Sequence, residues 1–252
     1  MRLFRVIPVL LIDGEGLVKT EKFRKPRYLG DPVNAVTIFN EKRVDELVVA
    51  DIAATGEARP PNFELLEDLA TQAFMPLAYA GGIRSMEDVE RLFAIGFDKV
   101  ILNSINFESL DLLRSASARY GAQSIMCVLD VAVDLFGRQV ILGAGKRHRL
   151  DPVEWAQTLV REGAGELLVT SVDREGSLKG YDIELIKRIS SAVAVPVIAN
   201  GGAGRVEHFK EVRDQGGAAA AAAGSFFVFH GKHKAVLITY PDYTRLEQVL
   251  YE

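Results

Sequence analysis

The chain has 252 residues, of which 48% are hydrophobic and 25% are charged, and these fractions exclude disordered, collagen-like and coiled-coil proteins. Its 30 basic residues are nearly balanced by 34 acidic ones, which gives no overall electrostatic basis for binding nucleic acid. No apolar run approaches the roughly 18 residues that a membrane-spanning helix needs, and the single cysteine, Cys127, excludes an internal disulfide or a multi-cysteine metal site.

The first predicted element is a β-strand that starts near Arg5. The residues before it are basic and the run that follows is apolar, but this run is only about eight residues long and lacks a small-residue cleavage site. We therefore interpret the segment as a strand and not as a signal peptide. We expect a cytoplasmic protein that does not insert into a membrane.

Seven further short apolar runs follow, and amphipathic stretches of helical period lie between them, as in residues 85–95 and 182–193. Near-continuous apolar strands that alternate with helices indicate a parallel sheet buried on both faces. Eight such units in about 250 residues predict a single (β/α)8 (TIM) barrel over residues 1–252. The strands are predicted to start near Arg5, Asp45, Met75, Asp98, Ser124, Gly165, Val195 and Ala218.

An internal repeat supports this prediction. Asp-Pro-Val at residues 31–33 recurs 120 residues later at 151–153, and the glycine pair at 81–82 recurs at the same offset at 201–202. Asp31 and Asp151 are each followed by a proline, as in a helix N-cap with proline at the first helical position. We expect two half-barrels, approximately residues 1–120 and 121–240, and a C-terminal tail.

The ends of the predicted strands carry two glycine-rich segments. Gly81-Gly82 follows the third strand and Gly201-Gly202 the seventh, and the neighbouring fourth and eighth strands end in Asn103-Ser104 and Gly224-Ser225. Glycines let a backbone approach a phosphate closely, and the helix N-termini that follow supply N–H donors. The pattern predicts two phosphate sites half a barrel apart, and an elongated substrate with a phosphate at each end. Tight turns are the alternative interpretation.

Two aspartates are candidates for acid–base chemistry. Asp130 follows the apolar fifth strand, and Asp51 ends the second. Helix capping or an ion pair is the alternative for each. In the repeat, the position that matches Asp130 is Leu11, so no second carboxylate faces Asp130 from the first strand.

The segment after the first strand, residues 14–30, is predicted to be a long basic loop. It carries Lys19, Lys22, Arg24, Lys25 and Arg27 against two glutamates. Long loops at the mouths of such barrels commonly act as lids. Lys19 is our candidate for a phosphate clamp or a lid latch, and a solvated loop is the alternative.

Four charged residues stand near the starts of strands, at the opposite end of the predicted barrel. They are Arg5, Glu46, Lys99 and Glu166. Arg5, Lys99 and Glu166 share the phase of Leu11, Asn103 and Thr170 at the other ends of their strands, which is compatible with inward-facing side chains. Such charges are expensive to bury unless they are paired. The sequence leaves open whether they point into the barrel or outward to solvent.

The histidines fall in no strong metal-binding pattern. His230 and His233 are three residues apart, which is weak evidence for a ligand pair, and His148 and His208 are expected to be exposed. Cys127 is expected in the core. We expect neither a metal nor a cofactor.

Over nearly its whole length the sequence resembles HisF, the cyclase subunit of imidazole glycerol phosphate synthase. The resemblance is carried by the segments RVIP, GDPV, DELVVADI, MPLAYAGGIRS, DKVILNS, GAQSIMCVLD, GAGELLVTSVDREG, GYDIELIKRIS, VPVIANGGAG and AAGSFF. It implies a duplicated half-barrel of the ribulose-phosphate-binding type, which receives ammonia from a separate HisH-like glutaminase docked under its floor in a heterodimer.

The resemblance also implies roles for individual residues. The floor residues Arg5, Glu46, Lys99 and Glu166 match the ring that gates the ammonia passage, and Asp98 matches a position that couples the barrel to the glutaminase. Lys19 matches the catalytic lysine of the first loop, and Asp130 matches one of the two catalytic aspartates. The positions that match phosphate or substrate contacts are Asp51, Gly82, Asn103, Ser104, Thr170, Gly176, Gly202, Gly224 and Ser225.

The sequence departs from the family at the other catalytic aspartate. Family members read IPCLD where this chain reads IPVLL, so Leu11 replaces a group that exchanges a proton. The first loop, KTEKFRKPRYLG, and the tail, FFVFHGKHKAVLITYPDY, are similar to HisF-like paralogues associated with surface-polysaccharide genes. Those paralogues are thought to pass ammonia toward amidation or acetamidino formation on a sugar, with a HisH-like glutaminase and a sugar amidotransferase.

Three functions are consistent with these residues. The first is an ammonia-channelling HisF paralogue in bacterial surface-sugar (lipopolysaccharide O-antigen) amidation. The second is a cyclase subunit of histidine biosynthesis with an altered acid–base position. The third is a non-catalytic scaffold that activates its glutaminase and conducts the ammonia. Leu11 argues against the second, and the retained phosphate-site residues argue against the third.

Overall fold

A computed structural model describes residues 4–231 and 233–252 and contains a closed barrel of eight parallel strands. Each strand pairs with its neighbours in chain order, and the eighth pairs with the first, with Arg5 opposite Ala220. The predicted (β/α)8 barrel is therefore confirmed. Most strands begin one or two residues after the predicted starts. They are β1 (Arg5–Asp13), β2 (Leu47–Asp51), β3 (Leu77–Ala80), β4 (Lys99–Leu102), β5 (Ile125–Val133), β6 (Glu166–Ser171), β7 (Val197–Asn200) and β8 (Ala220–Ala223).

Helices cover the outside of the barrel between successive strands. Asp31 and Asp151 each accept a hydrogen bond from a backbone N–H of the first helical turn, and a proline fills the first helical position, as the sequence predicted. The helices are α1 (Pro32–Glu41), α2 (Phe63–Gln72), α3 (Met86–Ile95), α4 (Asp111–Tyr120), α5 (Pro152–Arg161), α6 (Ile183–Ser190), α7 (Glu207–Asp214), α8 (Ser225–Val228) and α9 (Tyr243–Tyr251). None of the helices in the described part of the chain is long and apolar enough to cross a membrane.

The core has two layers because the strands are buried on both faces. The inner layer fills the barrel with one side chain from alternate positions of each strand, such as Ile7, Met126 and Ile198. The outer layer lies between strands and helices. The alanines of β8 leave room outside it, and this room is filled by aromatic rings that contact one another: Phe39, Phe209, Phe226, Phe227 and Tyr240.

The prediction of a loop at residues 14–30 is wrong. This segment forms an antiparallel ribbon with strands Gly16–Glu21 and Arg24–Gly30, which continues the sheet beyond the end of β1. A second ribbon, with strands Gln139–Gly143 and Lys146–His148, continues β5 in the same way. The ribbons form because β1 and β5 run on past the barrel mouth, so that their exposed edges are paired by the chain that follows.

The C-terminal segment packs under the start of the barrel. The Tyr240 hydroxyl donates to the Val6 carbonyl at 2.9 Å, and the Tyr243 hydroxyl donates to the Asp45 carboxylate at 2.7 Å. Val6 and Asp45 are the chain neighbours of the floor residues Arg5 and Glu46. The tail therefore fixes the backbone on which part of the floor is built. The boundaries of the two half-barrels stay a prediction.

Candidate active site

Leu11 and Asp130 both belong to the inward-facing side of the barrel at its mouth. Leu11 packs against the inner core layer, in phase with Ile7 and Val9 of β1. Asp130 shares the phase of Met126 and Val128 on β5. The sequence placed Asp130 at the end of its strand, but β5 continues three residues further because Asp130 pairs with Leu142 of the second ribbon. The mouth thus presents one carboxylate from β5 and an apolar side chain from β1.

The environment of Asp130 suits proton exchange near neutrality. Its Oδ2 accepts a hydrogen bond from Asn103 Nδ2 at 2.9 Å, and Thr170 stands opposite it on β6. Burial raises the pKa of Asp130 to about 7, although the Thr170 hydroxyl and the Asn103 amide lower it. An aspartate with such a pKa can take up or release a proton at physiological pH.

Asp51 is fully occupied by protein partners. Its carboxylate accepts two hydrogen bonds from the Arg59 guanidinium, at 2.7 and 3.0 Å, and two from the backbone N–H groups of Ala53 and Ala54. Its side chain has no exposed area. These contacts correspond to the structural alternative that the sequence left open, since this carboxylate organises the turn after β2.

A cleft at the mouth brings together Lys19 and four of the nine predicted phosphate or substrate contacts. Lys19 of the first ribbon, Gly176, Gly202 and the Gly224-Ser225 pair all line it, and Leu11 lies at its base. The remaining lining residues are Val9, Phe23, Glu175, Asn200, Gly201, Ala203 and Ala223. The cleft therefore joins the ends of β1, β7 and β8 to the first ribbon.

Glu175 is the residue of this cleft that sequence reasoning missed. It forms an ion pair with Lys19, and the side chains of both are less than a tenth exposed. Its other carboxylate oxygen lies 3.3 Å from the Phe23 amide nitrogen, which donates to it. Glu175 is one of two acidic residues in the Asp-Arg-Glu-Gly turn after β6, but nothing in the sequence indicates its partner, which lies 156 positions away.

Steric contact explains the two glycine pairs. A Cβ atom on Gly82 would lie 2.6 Å from the Arg59 carbonyl oxygen, and one on Gly202 would lie 2.1 Å from the Gly180 carbonyl oxygen. Both residues also have positive φ angles, +66° and +116°. The glycines are thus required by the close approach of neighbouring turns, whatever ligand the site holds.

The second predicted phosphate group lies across the mouth from the cleft. Asn103 and Ser104 follow β4, and the Ser104 hydroxyl accepts a hydrogen bond from the Ala144 N–H at 3.1 Å. Ala144 stands between the two strands of the second ribbon, so this ribbon contacts the end of β4. Thr170, on β6 between the two groups, accepts a hydrogen bond from Asn200 at 3.2 Å.

The four charged residues of the floor point into the barrel and form a closed ring. Arg5 bonds to both Glu46 and Glu166, and Lys99 bonds to the same two carboxylates, at 2.6 Å to Glu166 and 3.0 Å to Glu46. The carboxylates are almost fully buried, and the cations are partly exposed. Burial lowers the pKa of Arg5, but the Glu166 and Glu46 carboxylates outweigh this effect and leave it raised. Pairing on both sides makes the burial of these charges tolerable.

Asp98 lies next to Lys99 but is not part of the ring. Its exposed carboxylate accepts a hydrogen bond from the Leu77 N–H at 2.9 Å. The expectation that His208 is exposed is wrong: it is buried, and its Nδ1 accepts from the Gly204 N–H. His148 is half-buried because it stacks on Phe107 at a centroid distance of 4.1 Å.

Comparison with known proteins gives one consistent result. The family model described as "Histidine biosynthesis protein" matches residues 5–234. A protein of Pseudomonas aeruginosa, provisionally named imidazole glycerol phosphate synthase subunit hisF2, is 45% identical over 96% of this chain and 98% of its own. A provisionally named HisF subunit of Leptospira borgpetersenii is 41% identical over 96% of this chain and 97% of its own. A provisionally named hisF3 subunit of Vibrio vulnificus is 41% identical over 98% of this chain and 96% of its own.

Proposed function

Since the chain belongs to the HisF branch of the histidine biosynthesis protein family, we propose that it is the ammonia-dependent synthase subunit of a two-subunit glutamine amidotransferase. The relatives described above carry provisional names as subunits of imidazole glycerol phosphate synthase, a cyclase-type enzyme. A HisH-like glutaminase would release ammonia under the floor ring, and the barrel would deliver it to a phosphorylated small molecule at the mouth. The reaction that we favour is amidation or acetamidino formation on a bacterial surface sugar, with a sugar amidotransferase as a further partner.

The observation that supports this proposal is that the barrel has a complete ring of charged residues at its floor but lacks one of the two carboxylates expected at its mouth. The ring of Arg5, Glu46, Lys99 and Glu166 is complete, and the cleft at the mouth contains Lys19 and the glycines of the predicted phosphate site. Leu11, however, offers no proton acceptor opposite Asp130. Loss of one acid–base group typically slows a reaction by about 10²- to 10⁴-fold. This combination supports a protein that takes up ammonia and a phosphorylated ligand but does not close an imidazole ring.

The second candidate function is cyclisation in histidine biosynthesis itself. It is favoured by the environment of Asp130, whose pKa of about 7 suits one carboxyl group to act as both acid and base. The third alternative, an ammonia-conducting scaffold without chemistry, would account for the floor ring but not for the environment of Asp130.

The deciding experiment measures two properties of the purified chain with the bis-phosphorylated ribulosyl formimino carboxamide of the histidine pathway. Ammonia-dependent turnover at an ordinary enzymatic rate would make the chain a working cyclase and overturn the sugar assignment. We expect that the chain neither binds nor turns over this compound. That result would indicate that the protein acts on another substrate. Tight binding without turnover would mean that the site accepts the histidine-pathway substrate but lacks its second proton acceptor.

A further inference from the structure

The first ribbon is held against the barrel by one carboxylate. Glu175 bonds to the Lys19 ammonium and lies within hydrogen-bond reach of the Thr20 hydroxyl, at 3.4 Å, and of the Phe23 N–H, at 3.3 Å. Its backbone carbonyl accepts from the Lys22 N–H at 3.2 Å. Four of the five positions 19–23 at the ribbon turn, all except Glu21, thus contact this single residue.

Lys19 lies over the part of the cleft where an anion would bind. A Cβ atom on Gly224 would stand 2.8 Å from Lys19 Cε, so the stem of the lysine crosses directly above that glycine. The ammonium also donates to the Thr20 carbonyl at 3.1 Å. With Glu175 and Thr20 bound, two of its three N–H donors are already used.

We infer that Glu175 is a positioning residue that occupies Lys19 in the free protein, and that a phosphate group entering the cleft takes its place. The inference rests on the proposed phosphate site at Gly176, Gly202, Gly224 and Ser225. A phosphate dianion carries more charge than a carboxylate and presents three acceptor oxygens. Because Lys19 neutralises one anion in a buried cleft, Glu175 and a phosphate compete for it.

The exchange links ligand binding to the ribbon. When Lys19 turns to the phosphate, Glu175 loses its strongest bond to the ribbon, and its contact to the Phe23 N–H weakens with it. A ligand that binds better to the released state shifts the ribbon toward that state by its difference in affinity. The ribbon would then be a sensor of the phosphate and not merely a cover.

The test is calorimetric titration of inorganic phosphate into the full chain and four variants. Glu175→Gln keeps an acceptor but removes the competing charge, and we expect it to bind phosphate about tenfold more tightly, within the usual range of coupling between two sites. Glu90→Gln is the matched control: it removes one negative charge and an exposed ion pair, with Arg119, on the outer helices of the barrel and away from the cleft. Its affinity should stay within about twofold of the parent, since screening weakens exposed charges.

Lys19→Met and the Lys19→Met/Glu175→Gln double variant complete the cycle. If the two residues act through each other, the gain from Glu175→Gln should disappear in the Lys19→Met background. An undiminished gain there would mean simple repulsion between charges and would overturn the exchange. Equal affinity of the parent and Glu175→Gln would overturn it as well, while leaving the phosphate site intact. If none of the five proteins binds phosphate, the proposed phosphate site falls and the inference with it.

Hydrogen exchange of the parent gives a measurement that needs no variant. Saturating phosphate should speed exchange at the Phe23 amide, because this N–H loses its acceptor on Glu175, and leave the Val18 and Leu17 amides protected by the ribbon ladder. Slower exchange at Phe23 in the presence of phosphate would contradict the inference.

Discussion

The Asn103 side-chain amide donates a hydrogen bond to Asp130 Oδ2 at 2.9 Å, from the end of β4 to β5 at the barrel mouth. The carbonyl oxygen of the same side-chain amide, Asn103 Oδ1, is buried and has no hydrogen-bond partner among the described residues. The hydrogen bond therefore orients the Asp130 carboxyl, at the expense of a buried amide oxygen that is unsatisfied within the described part of the chain.

Asp130 should make the stability of the protein fall as the pH rises from about 4 to 7. Its pKa in the folded protein is about 7, against an ordinary value near 3.8, so the folded state keeps a proton that the unfolded chain has lost in this interval. Asp130→Asn removes this dependence. The melting temperature of the variant relative to the parent should therefore rise between pH 4 and 7 and be constant above about pH 8.

Asp134 provides a control with the opposite sign. The N–H groups of Arg138 and Phe136 hold its pKa below the ordinary value, so its stabilising effect is present at neutral pH and lost as the pH falls. Asp134→Asn should thus lower stability more at pH 7 than at pH 3. A parallel pH trend in the two variants would contradict the assignment of Asp130.

Leu11→Asp should restore the missing proton acceptor. We expect ammonia-dependent turnover of the histidine-pathway substrate to rise by about 10²-fold or more over the parent, if that substrate binds. Leu11→Asn is the matched control, since it is similar in size and polar but accepts no proton. Equal rates in the two variants would mean that polarity, and not proton transfer, limits the reaction.

Lys99→Met should separate glutamine-driven from ammonia-driven activity in the reconstituted complex. The change opens the floor ring and leaves Glu46 and Glu166 with Arg5 alone. Because breaking a buried ion pair costs about 3–5 kcal/mol, we also expect a lower melting temperature. Free ammonia entering from the mouth should still react. The exposed Lys187→Met serves as the control, and coupling that survives in Lys99→Met would contradict a gating role.

Gly202→Ala should destabilise the protein by at least about 3 kcal/mol, since the new Cβ meets the Gly180 carbonyl in a conformation that strains any L-residue. Gly145→Ala separates the effect of steric contact from that of backbone strain. Gly145 also has a positive φ angle, but nothing lies within 4 Å of the position of its Cβ atom. The substitution should cost only about 1 kcal/mol. Urea denaturation measures both, and similar losses would mean that steric contact at Gly202 is relieved by local movement.

The barrel was predictable because its signals are local and repeated. Apolar runs mark the strands, and Asp31 and Asp151 mark helix starts with their own side chains and the prolines after them. The ribbons were not predictable in the same way, because residues 14–30 alternate too little in polarity to indicate paired strands. The ion pair of Lys19 and Glu175 was not predictable for another reason: only the closed barrel brings those two positions together.

The floor residues show that the alternation of side chains along a strand does not by itself predict which way a side chain at the rim points. Strand alternation put Arg5, Glu46, Lys99 and Glu166 on inward positions, but the same residues at a rim could have turned outward to water. Their inward orientation depends on each cation contacting two carboxylates at once. The width of the closed barrel determines whether this is possible. His208 was misjudged although helical spacing gave a signal: it lies four residues before Val212 on the buried face of α7, where its Nδ1 also accepts a hydrogen bond from the Gly204 N–H.

The closed barrel has a consequence for how the chain behaves at high concentration. A ring of strands has no edge, so the unpaired backbone of this sheet lies at the outer strands of the two ribbons. One of these strands, Arg24–Gly30, begins Arg-Lys-Pro-Arg, and the other, Lys146–His148, is basic throughout. Like charges and a proline on a free edge oppose the addition of a strand from another molecule. The basic residues on the outer strand of the first ribbon thus also protect the protein against edge-to-edge aggregation. Neutralising them should lower the solubility of the protein before it destabilises the fold.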